Sequence, residues 1–331
     1  MSIEFIANNS PPKLSNFILN QSTHTNHFLP KVRNALYVWL AVFCGLMSCS
    51  REIPLPKSAE IANGSVIHMF LQPDSNIVAD CSKVVGILNP FEPESNAKIK
   101  IQINASPPFQ LNNNSLGIYS NQMVKVKARD TVWVHYTSPT DSFDLTEIVP
   151  SNISFIKTDS LTEPVAGIGI TQGFKIQFQD SAVDQNYYRI YAKRLIRKYT
   201  LDKNNNITDS LQYWETMKID GNDLPFLRNN YNNYTEQEIL FSDETFNGVL
   251  ATFHFYNLLP NQNNKTEKTL SIIITLENLS KPLYDYYNSR AAHIWSQKSI
   301  TQLPGPLTGN VPNGYGVIGA FTNCKWVIKY P

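Results

Sequence analysis

Lys98-Ile99-Lys100-Ile101-Gln102-Ile103-Asn104 alternates polar and apolar side chains without a break. Successive side chains point to opposite faces only in an extended strand, so this run buries its isoleucines as one face of a half-wet sheet. Met123-Val124-Lys125-Val126-Lys127 repeats the pattern after its first residue, and Thr131-Val132-Trp133-Val134-His135-Tyr136 repeats it more loosely. Asn89-Pro90, Pro107-Pro108, the Asn112–Asn114 run and Pro139 separate these runs, and each favours a turn. With 16 Tyr and 17 Phe, the chain is rich in side chains that pack on a pleated surface.

Strands at this spacing predict an N-terminal Ig-like β-sandwich over residues 58–150. Val149-Pro150-Ser151-Asn152 marks the internal boundary, and a C-terminal β-rich domain is expected over 151–331. Its candidate strands are 152–157, 173–179, 187–199, 210–219, 250–258, 269–277 and 320–330. The 187–199 run could be drawn as an amphipathic helix. It lacks a cap and is dense in aromatic and β-branched residues, so it reads as a strand. Asp202 to Asn206 reads as a hairpin turn, and the Asn- and Tyr-rich stretch 220–236 as a loop. A helix is expected at about 280–299, with Ser280 as cap, Pro282 in the first turn, and Leu283, Tyr286, Tyr287, Ala291, Ile294 and Trp295 at helical spacing. The fold class is therefore all-β in the main: two β-sandwich-like domains with one C-terminal helix.

The N-terminus carries a different signal. Lys31 and Arg33 precede an apolar run from Ala35 to Gly45, which leads into Leu46-Met47-Ser48-Cys49. That run is about a dozen residues, where a spanning helix needs ~20, so it reads as an export signal. Residues 1–48 are taken as leader and lipoprotein signal peptide, and Cys49 as the acylated first residue of the mature chain. More than one acyl chain, palmitate among them, would hold the protein stably on a membrane. Residues 49–57, with Pro54 and Pro56, read as an extended tether. The mature chain has 331 minus 48, or 283, residues; with 28 minus 3 basic and 27 minus 1 acidic residues its net charge is −1. No basic surplus points to nucleic acid or to anionic lipid.

Of four Cys, Cys44 leaves with the signal and Cys49 takes lipid. Cys81 and Cys324 form a candidate disulfide; a loop of 244 residues, counting both ends, would contribute roughly 5 kcal/mol in the chain-entropy account. The alternative is two separate buried thiols.

Motifs for chemistry are sparse. There is no Walker loop, no Gly-x-Ser-x-Gly and no His-Glu-x-x-His. His68, His135, His254 and His293 are scattered, so neither a metal site nor a cofactor is expected, and no catalytic residue is assigned. Asp243 and Glu244 are adjacent and would face opposite sides of a strand, which disfavours a paired acid/base role. Phe241–Gly248 reads instead as a polar turn, with Asp243 and Asn247 bonding local amides and Gly248 left-handed. Asn310-Val311-Pro312-Asn313-Gly314-Tyr315-Gly316 reads as a structural turn, with partner contact as the alternative. Tyr231, Tyr234, Tyr284, Tyr286 and Tyr287 offer broad contact area for a partner or a sugar face, or else dock the helix onto a sheet. Tyr231, Tyr234, Asn310, Asn313 and Tyr315 are the candidate partner contacts.

Phe241-Ser242-Asp243 with Phe246-Asn247-Gly248, then Leu283-Tyr284-Asp285-Tyr286-Tyr287, then Gly309 to Phe321, behind a lipobox, resembles the Bacteroidota lipoprotein family called domain of unknown function 4249. The resemblance covers roughly 58–331. It implies an exported β-rich lipoprotein found beside outer-membrane transporters of the TonB-dependent type, and it places acylation on Cys49. Asp130-Thr131-Val132, Asp159-Ser160-Leu161, Asp180-Ser181-Ala182 and Asp209-Ser210-Leu211 also resemble the O-glycosylation sequon of such bacteria. The expectation is a non-catalytic binding or accessory module, lipid-anchored to the outer membrane on its periplasmic or cell-surface side, working with a transporter and binding no nucleic acid. A surface glycan hydrolase and a structural or adhesion protein of the envelope are the alternatives.

Overall fold

The computed structural model describes residues 64–85, 92–165, 169–221, 237–257, 266–297, 306–312 and 314–330. The first half contributes β1 (Ser65–Leu71), β2 (Ile77–Lys83), β3 (Lys98–Ile103), β4 (Phe109–Gln110), β5 (Asn112–Ser115), β6 (Ile118–Asn121), β7 (Thr131–Thr137) and β8 (Ser142–Ile148). The second contributes β9 (Phe155–Val165), β10 (Gly169–Gln179), β11 (Tyr187–Leu201), β12 (Ile207–Thr216), β13 (Ile219–Gly221), β14 (Glu238–Ser242), β15 (Leu250–Asn257) and β16 (Glu267–Leu279). Helix α1 (Lys281–Gln297) and β17 (Tyr315–Lys329) follow. The mainly-β class and the C-terminal helix are as the sequence predicts.

A nine-stranded sheet organises the molecule, in the order β12-β11-β16-β17-β1-β2-β6-β5, with β14 also paired to β11. Two four-stranded sheets accompany it, β4-β3-β7-β8 and β13-β15-β10-β9. The side-chain period of two sorts the layers. On β17, Ile318 and Ala320 enter a first core with Ile67, Met69, Ile99, Ile101, Val132, Val134 and Tyr136. Four residues on, along the same face, Cys324, Trp326 and Ile328 border a second core built from Phe174, Ile176, Phe178, Ile190, Ala192, Phe253, Ile272, Ile274 and Leu276. Both small sheets thus lie on one face of the large one. Val317 and Phe321, on the opposite face of β17, meet α1 through Leu283 and Tyr284.

β1 and β17 run parallel, from Val66↔Tyr315 to Leu71↔Ala320, in a ladder otherwise antiparallel. Gly316 makes this junction: its φ is +99°, and a Cβ there would stand 2.1 Å from the Ile67 carbonyl oxygen.

Three local expectations are resolved. Tyr187–Leu201 is a strand, and Asp202–Asn206 is the hairpin turn after it: Asp202 Oδ1 accepts the Asn204 and Asn206 amides at 2.7 and 2.8 Å, and Asn205 is left-handed. Met123–Lys127 is not a strand. Val126 is fully buried, as the alternation demands, but Asn121 Oδ1 takes the Met123 and Val124 amides and Asp130 Oδ2 takes that of Lys127. Side chains satisfy the backbone there in place of a ladder.

Cys81 and Cys324 are both free thiols, so the candidate bridge is not formed. Cys81 pairs across to Ile67, which pairs to Gly316, and Cys324 lies eight residues further along β17. That is about 26 Å of strand, far beyond the ~7 Å within which a disulfide closes. Burial pushes both thiols up to about 12.

Candidate functional site

Of the residues singled out from sequence, Cys49, Tyr231, Tyr234 and Asn313 lie outside the described residues. Asn310 is committed to the fold: its amide nitrogen donates to the Ile318 carbonyl at 2.8 Å and its oxygen accepts the Ile318 N–H at 2.9 Å. This clasp holds the glycine-rich turn against the strand it feeds. Tyr315, the first residue of β17, is 54% exposed and remains open to contact.

The Phe241–Gly248 motif is a turn, and a polar knot fastens it. Asp243 Oδ2 accepts the Asn186 backbone N–H at 2.8 Å and its side-chain amide at 3.2 Å. Asp180 Oδ2 accepts the Gly248 N–H at 2.6 Å, while Asp180 Oδ1 accepts the Tyr188 hydroxyl. Gly248 has φ +75°, as its place in the turn predicts. Asp243 bonds its own backbone N–H, the local amide expected, and also reaches across to Asn186 in the segment before β11. The sequence disfavours a pair of Asp243 with its neighbour Glu244; the structure brings Asp243 instead to Asp180, 63 positions earlier. Both carboxylates are buried, over a cluster of Phe178, Phe241, Phe246 and Phe253. They converge into a turn and not onto an open cleft.

A dense charged cluster lies where α1 meets β11. Arg189 and Glu277 are register partners, and Glu238 stands on β14 diagonally from Arg189. Arg189 Nε lies 2.8 Å from Glu238 Oε2, and its Nη1 lies 3.2 Å from Glu277 Oε2. Arg290 of α1 reaches Glu238 Oε1 at 3.1 Å, and the Tyr191 hydroxyl donates to Glu277 at 3.2 Å. The Tyr287 ring lies between the two guanidinium groups, 4.3 Å from Arg189 and 5.0 Å from Arg290. Burial holds the Glu277 carboxyl above its ordinary value even against the pull of Arg189. Two cations balance two carboxylates, and planar guanidinium suits both carboxylate pairing and stacking on an aromatic ring.

This cluster decides between the two readings of the tyrosines that are described. Tyr284 packs against Tyr187 with ring centroids 4.8 Å apart, and Tyr286 meets His68 edge-on at 5.8 Å. Tyr284, Tyr286 and Tyr287 dock the helix. No spacing rule connects Arg189 to Glu238 and Glu277, so the cluster was invisible until strand register was known.

Among the described residues no group of three or more His, Cys, Asp or Glu is arranged to hold a metal. Among them, too, no helix is long and apolar enough to cross a membrane. A shallow polar depression on the outer face of the β9–β10–β15 layer is lined by Lys157, Asp159, Lys175, Gln177 and Thr252. Of the four Asp-Ser/Thr tripeptides, those at Ser160 and Ser210 present exposed hydroxyl-bearing residues on the outermost strands β9 and β12.

A two-sandwich molecule built on one shared sheet, braced by a docked helix, is the class of protein these features define. A family model described as domain of unknown function (DUF4249) matches residues 56–325, and the chain belongs to that family. No curated protein matches it.

Proposed function

We propose that this chain is a lipid-anchored, non-catalytic binding module of the outer membrane that works alongside a TonB-dependent transporter. The observation that carries the reading is Leu46-Met47-Ser48-Cys49 behind a short apolar run. Sixteen Cα-to-Cα steps (65 minus 49) then lead from Cys49 to Ser65 at the start of β1. A stretch of that length reaches about 54 Å when extended. An acyl anchor there confines the protein to two dimensions and raises its effective concentration near a membrane partner. The commitment of Asp180, Asp243, Glu238 and Glu277 to turns and helix docking supports a binding role over hydrolysis.

Metabolic labelling with a palmitate analogue tests the anchor: wild-type protein takes label and Cys49→Ala takes none. Capture of the native protein from mild detergent extracts tests the partnership, with co-recovery of a transporter as the expected result. An unlabelled, freely diffusing product that retains its leader would overturn the reading.

A further inference from the structure

Helix α1 covers only part of its face of the large sheet. It sits over Val317 and Phe321 of β17, Leu279 of β16, and Tyr187 and Arg189 of β11. Beyond Tyr191 the same face continues, and strand register fixes what it displays. One cross-strand row reads Thr216, Lys193, Ile273, Val327. The next reads Trp214, Leu195, Ser271, Lys329. Lys325, facing Thr275, stands in the row on the helix side.

All of these point away from the second core, because the alternate positions, Ile190, Ala192, Ile196, Ile272, Ile274, Trp326 and Ile328, point into it or border it. Trp214 is 50% exposed and Val327 49% exposed, with Lys193, Lys325 and Lys329 exposed around them and Leu195 and Ile273 half-covered. Neither row contains an Asp or Glu. Elsewhere the protein pairs its cations: Arg194 with Glu215, Lys281 with Asp285, Arg189 with Glu277. The two rows therefore form an apolar strip with a tryptophan at one edge, carrying Lys193 and Lys329 with no carboxylate between them; Lys325, one row nearer the helix, is exposed and also feels the buried Glu277 carboxylate. A mature net charge near zero hides this local excess.

We propose that this open face is a docking surface for an anionic lipid bilayer. Lysines gain from anionic headgroups, and tryptophan with aliphatic side chains partitions to the boundary between headgroup and acyl chain. The inference deepens the anchored-module reading and rests on it for bringing the face to a membrane. The geometry permits both contacts at once. β1 starts beside Tyr315, and Lys325–Lys329 lie 10 to 14 residues along β17, about 33–46 Å away. This is within the ~54 Å reach of the chain between Cys49 and β1. The anchor and the face would then fix one orientation of the molecule against the bilayer, leaving the small sheets and their loops turned outward.

The test is amine footprinting of the mature protein on vesicles of phosphatidylcholine alone or with three parts in ten of phosphatidylglycerol. Lys157 and Lys175, on the outer face of the small sheet, serve as internal controls. On anionic vesicles Lys193, Lys325 and Lys329 should label roughly fivefold more slowly, the factor that one lysine–headgroup contact is worth. The protection should vanish at high salt and on neutral vesicles, and a Lys193→Glu/Lys325→Glu/Lys329→Glu variant whose circular dichroism is unchanged should cosediment with anionic vesicles at least roughly fivefold more weakly than wild type. Equal labelling of all five lysines on anionic vesicles would overturn the proposal. So would protection by soluble polyglutamate without protection by vesicles, which would mark the face as a site for an acidic protein. A chain that proves unacylated is added to preformed vesicles and read in the same way, so failure of the anchor and failure of the face give separate results.

Discussion

Glu147 occupies a core position. On β8 it follows Phe143 and Leu145 in the inward-facing alternation, and it pairs with Val132 of β7. It is 4% exposed, and its Oε2 has no hydrogen-bond partner. Burial pushes its carboxyl from 4.5 up to about 7, against partial relief from the Ser280 hydroxyl and the Ile148 N–H. Between those two values the native protein holds a proton that the unfolded chain has released, so stability falls as pH rises through that window. The gap corresponds to roughly 3 kcal/mol. Glu147→Gln should therefore be about 2–3 kcal/mol more stable than wild type at pH 8 and nearly equal to it at pH 4, as urea denaturation at both values would show. A variant less stable than wild type at pH 8 would contradict this account. At Gly316, alanine would meet both a left-handed backbone and the Ile67 carbonyl. Gly316→Ala should cost about 2 kcal/mol or more by thermal denaturation, while the same change at Gly169, with open space around it, should cost about 1.

At the scale of the element, one guanidinium joins both buried carboxylates beneath α1. Removing Arg189 strands Glu238 and Glu277, 8% and 4% exposed, without their shared cation. Arg189→Met should cost about 3–5 kcal/mol, read by chemical denaturation. Arg189→Lys should recover part of that loss, since it restores the charge without the planar fork. The helix itself was legible: Pro282 and the spacing of Leu283, Tyr287 and Ala291 locate it within two residues at each end. Ser280 does stand at the cap position, yet its hydroxyl oxygen accepts the Ala320 N–H at 3.0 Å, tying helix to strand. β3 and β7 were legible because one face is wet. β1 was not, because Val66, His68 and Phe70 on its second face are themselves apolar or aromatic, and α1 covers part of that face through Tyr286. A strand whose second face is also apolar loses the period of two in its sequence that makes strands visible. The tyrosine–arginine cluster was illegible for a different reason: its members meet through register across β14, β11 and β16, and through the placement of a helix, none of which spacing reveals.

At the scale of the molecule, β17 belongs to both cores, and the large sheet carries both small ones. Sequence composition marks a boundary near Pro150, but no composition signal reports that the last strand returns to pair with the first. The two free thiols are reporters placed on either side, Cys81 in the first core and Cys324 beside the second. Pulsed thiol labelling across a urea gradient should give coincident midpoints for the two, since neither core keeps its sheet once β17 leaves. Midpoints separated by more than about 0.5 M urea would show two independently unfolding units.

The parallel ladder between β1 and β17 carries a temporal consequence. Val66 and Tyr315 are 315 minus 66, or 249, positions apart, and they must meet before the large sheet is continuous. Pairing at such separation is slow, because a long loop closes before any ladder bond rewards it. While the ribosome is still making the polypeptide, β1 lacks the neighbour that would lock it. Until β17 has been synthesised, β1 has only β2 beside it in the large sheet.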